Sequence, residues 1–124
     1  MSDKPTKILV VEDNPTLMKA EIFALEDAGF VVDMAKDGKE ALRKIKKNKY
    51  AVIMLDLIMP RKTGFNVLQE LYMLKIAIPI IVFSNMLEEI SKDEALKLGA
   101  REYIVKSDIT LDQMVEKVKK YVKK

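Results

Sequence analysis

Five short runs rich in β-branched and other apolar residues recur along the chain, at 8–11, 31–35, 51–55, 78–83 and 103–105, and a stretch of helical period follows each. Three of the five are nearly unbroken apolar stretches rather than alternating ones, which is what strands covered on both faces require. Strict alternation of strand and helix predicts a (βα)5 fold of the α/β class: one five-stranded parallel sheet, doubly wound with helices on both faces through right-handed crossovers. No repeat, linker or low-complexity segment interrupts the pattern, so residues 1–124 are expected to form one domain.

The helical stretches carry their own punctuation. Residues 15–28 place Leu17, Met18, Ile22, Leu25 and Ala28 on one side, with Pro15 in the first turn, Asn14 as the N-cap and Gly29 as the stop. Residues 38–47 offer Ala41, Leu42 and Ile45, and residues 64–75 offer Phe65, Leu68, Leu71 and Tyr72. Residues 87–98 have the weakest apolar face, Leu87, Ile90, Ala95 and Leu98, and stop at Gly99. The last helix is the cleanest: Leu111, Met114, Val115, Val118, Tyr121 and Val122 follow the helical spacing, with Thr110 or Asp108 as cap.

Composition narrows the chemistry. The chain has no cysteine and no histidine. Disulfides, thiolate-bound metals, thiol nucleophiles, a Ser-His-Asp triad and a histidine phosphodonor are therefore excluded. Lys and Arg number 22 against 19 Asp and Glu, and the whole excess of +3 lies in residues 111–124. Lysines at a helix C-terminus suit its dipole, whereas a nucleic-acid binder needs a broad basic stripe, so no direct nucleic-acid partner is expected. The polar N-terminus has no apolar signal core, and no apolar run approaches the ~20 residues that span a bilayer. A cytoplasmic protein without membrane contact is expected.

In a sheet of this kind ligands bind outside the carboxyl ends of the strands. The strand exits read Val11-Glu12-Asp13-Asn14-Pro15, Leu55-Asp56-Leu57-Ile58, Phe83-Ser84-Asn85 and Val105-Lys106-Ser107. Alternation alone thus brings three acids, a hydroxyl and a lysine to one edge. Carboxylates held together repel one another unless a cation joins them. With only oxygen ligands at hand, Mg²⁺ is the natural guess and Mn²⁺ an allowed one. Glu12 and Asp13 alone would equally serve to cap the next helix. Asp56, leaving an apolar strand, adds a third ligand. It is also a candidate nucleophile that would attack a phosphoryl group and form an acyl phosphate, with Lys106 and Ser84 on the phosphoryl oxygens.

The segments ILVVEDNP at 8–15, IMLDLIMPRKTGF at 53–65, IPIIVFSN at 78–85 and LGAREYIVKSD at 98–108 resemble, in order and spacing, a response-regulator receiver domain of two-component phosphorelay signalling. The resemblance runs from about residue 7 to 122. It implies a flavodoxin-like sheet of order 2-1-3-4-5 and the roles that follow. Asp56 is the phosphoacceptor. Glu12, Asp13, Asp56 and the backbone carbonyl of Ile58 hold Mg²⁺. Ser84 and Lys106 contact the phosphoryl group, and Ser84 and Tyr103 form the switch. The implied donor is a phosphohistidine on a sensor histidine kinase or a histidine phosphotransfer protein, so the receiver needs no histidine of its own. The implied output is a downstream protein docking on the face of helix 4, strand 5 and helix 5. The domain itself is a signalling receiver rather than an enzyme, a monomer or a phosphorylation-dependent dimer, and, if 124 residues is the natural length, a stand-alone chemotaxis-type form.

Several positions depart from the family pattern. Thr63-Gly64 stands for Asp-Gly, Ser84 for the commoner Thr, and Asn85 for a small residue. Ser107 replaces the proline that usually follows the lysine with a cis bond, and a cis bond before a non-proline residue costs about 2.5–4 kcal/mol. Ile58 and Met86, both apolar, are expected to flank the path of hydrolytic water and lengthen the life of the phosphorylated state. Competing readings fare worse. A flavin phosphate would meet Glu12 and Asp13 in the first turn. A dinucleotide fold needs G-x-G-x-x-G there. A dehalogenase-type phosphotransferase needs D-x-D. A phosphorylation-independent interaction module of the same fold is the remaining alternative.

Overall fold

The computed structural model describes residues 6–57, 64–85 and 89–122, without the side chains of 89–91. Among them are five strands, β1 (Lys7–Val11), β2 (Val31–Ala35), β3 (Val52–Leu55), β4 (Ile80–Ser84) and β5 (Glu102–Val105). Helices α1 (Pro15–Asp27), α2 (Gly38–Lys47), α3 (Gly64–Met73), α4 (Glu89–Lys97) and α5 (Leu111–Val122) alternate with them. A short 3₁₀ turn, Lys106–Asp108, absent from the sequence reading, links β5 to α5. All strand pairs are parallel and the order is β2-β1-β3-β4-β5, as expected.

Alternation along each central strand divides the core in two. Leu9, Val11, Ile53, Leu55, Ile80 and Val82 pack with Ala41, Leu42, Ile45, Val67, Leu68 and Leu71 of α2 and α3. Ile8, Val10, Val52, Met54, Ile81, Phe83 and Ile104 pack with Leu25 of α1 and Met114, Val115 and Val118 of α5. Each such Val, Leu, Ile, Phe or Met side chain, fully buried, contributes roughly 1.5–3 kcal/mol relative to exposure. Strands β1, β3 and β4 are buried along nearly their whole length, whereas β2 lies at an edge and leaves Val31 and Met34 exposed.

The helix ends follow the expected chemistry. Asn14 Oδ1 accepts the Leu17 N–H, and Asp37 Oδ1 accepts the Glu40 N–H. Thr110, not Asp108, caps α5 in a reciprocal box: Thr110 Oγ1 accepts the Gln113 N–H and Gln113 Oε1 accepts the Thr110 N–H. Gly29 and Gly99 end α1 and α4 with φ near +100°, the left-handed region open to glycine.

Three expectations about helix faces are corrected. In α1 the buried stripe is Met18, Glu21 and Leu25, while Leu17 and Ala28 are exposed. The stripe is the same helical period in a different phase, and an acid occupies one of its positions. In α3 the buried stripe is Gly64, Val67, Leu68 and Leu71, and Tyr72 is exposed. Leu111 likewise stays exposed in the first turn of α5. The expected contributions of Leu87 and Ile90 lie outside the described side chains.

Candidate functional site

Register brings the strand exits together. Val11 pairs with Leu55 across β1 and β3, so Glu12 and Asp56 leave neighbouring strands side by side. The Asp56 N–H still donates to Val11 O at 3.1 Å and the Glu12 N–H to Ala35 O at 3.0 Å, which anchors both backbones just beyond the last ladder pairs. Ser84 pairs with Val105 across β4 and β5, and Lys106 follows directly. Glu12, Asp56 and Lys106 continue the phase of Val10, Met54 and Ile104, the side of the sheet covered by α1 and α5. Ser84 continues the phase of Ile80 and Val82 and reaches Asp56 from the other side.

Asp56 is buried and its two oxygens are addressed separately. Ser84 Oγ donates to Oδ1 at 2.8 Å, and Lys106 Nζ donates to Oδ2 at 3.3 Å. Lys106 also forms a direct ion pair with Glu12 Oε1 and lies 5.8 Å from the centre of the Phe83 ring. Glu12 Oε2 accepts the Asn14 N–H at 3.1 Å, which orients the carboxylate at the start of α1. Carboxylate oxygens of Glu12, Asp13 and Asp56 lie within 4.8 Å of one another; Glu12 and Asp56 are buried and Asp13 is exposed. Burial raises the Glu12 carboxyl above its ordinary range, against the pull of Lys106. Burial also works against the Lys106 ammonium, but Glu12 and Asp56 outweigh it and hold its pKa above the usual value.

The start of α3 presses on the same place. A Cβ on Gly64 would lie 2.3 Å from the Asp56 carbonyl oxygen and 2.5 Å from Leu57 Cα, so only glycine lets this helix approach the exit of β3. The Gly64 N–H donates to Leu57 O at 3.3 Å.

The structure therefore assembles Glu12, Asp13, Asp56, Ser84 and Lys106 in one place. Tyr103 is half-buried on β5 and packs against the core cluster on the α2–α3 side of the sheet. Ile58, Thr63 and Met86 lie outside the described residues. Among the described residues there is no cis peptide, so the Lys106–Ser107 bond is trans.

Two features escaped the sequence reading. Glu21 of α1 is 2 % exposed, and burial followed by the neighbouring Glu12 charge pushes its carboxyl up to about 8 despite Lys106. Its spacing from Met18 and Leu25 marks it as a member of the buried stripe. The other is the bond made by Asn85, noted above only as a departure from the family pattern: its Oδ1 accepts the Ser107 N–H at 3.1 Å.

A family model, the response regulator receiver domain, matches residues 8–119. The chain belongs to this family. It is a receiver domain of two-component signalling.

Among similar proteins is the alkaline phosphatase synthesis transcriptional regulatory protein PhoP of Bacillus subtilis, 37% identical over 81% of this chain and 42% of its own length. Response regulator RR06 of Streptococcus pneumoniae is 34% identical over 94% of this chain and 53% of its own. The chain thus spans about half the length of these relatives. Among solved structures, the receiver domain of the Francisella response regulator 1452 aligns with a TM-score of 0.88 at 32% identity, covering 94% of this chain and 96% of its own. The chemotaxis protein CheY4 of Vibrio cholerae aligns at 0.86 with 28% identity, covering 95% and 99%. No described helix is long and apolar enough to cross a membrane.

Proposed function

We propose that the domain accepts a phosphoryl group on Asp56 from a phosphohistidine carried by a sensor histidine kinase or a histidine phosphotransfer protein, in the cytoplasm. One observation carries the reading: a buried carboxylate at the end of β3 has a hydroxyl on one oxygen and an ammonium on the other, beside two further acids. An Asp56 oxygen would attack phosphorus. The P–O bond of an acyl phosphate forms, the P–N bond to the donor imidazole breaks, and the leaving nitrogen keeps its electron pair. Lys106 and Ser84, released from the free carboxylate, offer their donors to the transferred oxygens, where positioning and charge stabilisation supply most of the catalysis.

Carboxylates with oxygen atoms this close fit a hard divalent cation, and Glu12, Asp13 and Asp56 would hold Mg²⁺, or Mn²⁺, together with the backbone carbonyl of Ile58. Held there, such an ion would supply positive charge to offset that of the phosphoryl oxygens. The reading continues with Ser84 and Tyr103 as the switch and with the α4–β5–α5 face as the surface that a downstream protein reads. Phosphorylation adds charge at the strand exits, and a partner that distinguishes the two states shifts their populations.

Incubation with a small acyl phosphate and Mg²⁺, followed by intact mass, tests this. We expect one adduct of about 80 Da that disappears in Asp56→Asn. No adduct, or one that survives in that variant, would overturn the reading and favour a phosphorylation-independent docking module.

A further inference from the structure

The loop after β5 carries Lys106 and then turns immediately into a 3₁₀ turn, Lys106–Asp108. The first N–H groups of any helical turn lack partners within it. Val105, which precedes the turn, makes no side-chain capping bond. The Ser107 N–H is instead taken by a side chain from the neighbouring strand exit, Asn85 Oδ1, at 3.1 Å and 22 residues away in sequence. Asn85 directly follows Ser84, which is bonded to Asp56, and Ser107 directly follows Lys106, which is bonded to the same carboxylate. The bond therefore ties together the two loops that supply donors to Asp56. A proline at 107 would have no N–H to give and would bias Lys106 away from helical backbone angles. The trans Lys106–Ser107 peptide and the Asn85 carboxamide are thus a matched pair.

We propose that Asn85 is a positioning residue: its carboxamide oxygen, holding the Ser107 amide across the gap between β4 and β5, fixes the turn that places the Lys106 ammonium against Asp56 and Glu12. Lys106 has four methylenes between backbone and charge, and an unanchored loop would let that stem carry the ammonium into solvent. Asn85 is exposed, and among the described contacts its role is this bond, so replacing it leaves the core intact. The catalytic part of the inference rests on the phosphoacceptor reading of Asp56, whereas the structural part does not.

The test separates them. In Asn85→Ala, hydrogen exchange at the Ser107 amide should accelerate at least tenfold. Acylation of Lys106 by an amine-reactive ester, read by peptide mass spectrometry against the exposed lysines of α2, should rise several-fold. Asn85→Asp, which keeps the acceptor oxygen, should restore both. Phosphorylation of Asn85→Ala by a small acyl phosphate should slow about tenfold in maximal rate, with the half-saturating Mg²⁺ concentration unchanged. Unaltered Ser107 exchange in Asn85→Ala would overturn the proposal. So would faster exchange with unchanged Lys106 acylation. A wild-type chain that takes no phosphoryl group refutes the phosphoacceptor reading alone, and the exchange and acylation results still decide for or against the anchor.

Discussion

Lys106 and Glu12, 94 residues apart in the chain, meet in a direct ion pair that also touches Asp56. One cation thereby offsets two buried carboxylates. The site is held together by an ammonium that the proposed chemistry later redirects to a phosphoryl group.

Removing that ammonium should expose the cost. Lys106→Met removes the cation that faces the buried acids Glu12 and Asp56, and breaking a buried pair in this way costs about 3 kcal/mol. Glu12, already raised by burial, rises further without Lys106 and takes up a proton more easily. The loss should therefore be largest at pH 7.5 and shrink toward pH 5. Urea unfolding in chelator at the two pH values checks it. An equal loss at both would mean that packing, not charge, sets the penalty.

Glu21 gives the domain a second pH dependence. Its folded pKa, about 8, lies above the ordinary 4.5, so between those values the folded chain holds a proton the unfolded chain has released. Stability contributed here is present below the lower value and lost as the pH climbs toward the upper one. Glu21→Gln should flatten this slope and stabilise the metal-free protein above pH 8 by on the order of 2–4 kcal/mol. Denaturation midpoints across pH 5 to 9 read the difference directly.

Gly64→Ala should be costly although it adds a single methyl group at the first residue of α3. The added methyl group would meet backbone atoms at 2.3 and 2.5 Å, which flexible side chains cannot relieve. A loss of about 1–3 kcal/mol is expected for overpacking of this kind. Backbone amide shifts should move at Asp56 and Leu57, on the exit of β3, and remain unchanged in β2.

Asp13 is the exposed member of the acidic group, so its replacement tests cation binding without leaving a buried group unpaired. Asp13→Asn should weaken Mg²⁺ affinity at least tenfold by calorimetry while the unfolding midpoint in chelator stays within about 0.5 kcal/mol of wild type. Unchanged affinity would remove Asp13 from the ligand set.

The (βα)5 fold was legible because the strands at 8–11 and 51–55 are apolar throughout and the helices between them carry clear caps. The site was legible because topology sends Glu12, Asp56, Ser84 and Lys106 to one edge whatever the details of packing. The face of α1 was not. Choosing the stripe through Leu17 assumes that apolar residues are inside, yet much of any folded surface is apolar, and Leu17 stands in the first turn beside the polar strand exits. Glu21 was overlooked for the converse reason: burial holds its carboxyl in the neutral form near neutral pH, and a neutral acid can occupy a core position. The Asn85–Ser107 bond joins two loops through one side-chain oxygen, a contact without periodicity and hence without a signature in the chain.

Strands β1, β4 and β5 furnish the polar groups around Asp56, itself at the exit of β3, and the first and last of these groups lie 94 residues apart in sequence. No hairpin, single βαβ unit or half-built sheet contains the set. If the acidic group binds a divalent ion as proposed, a refolding chain would gain that affinity late, when the most distant strands have docked, and ion uptake would serve as a clock for completion of the sheet.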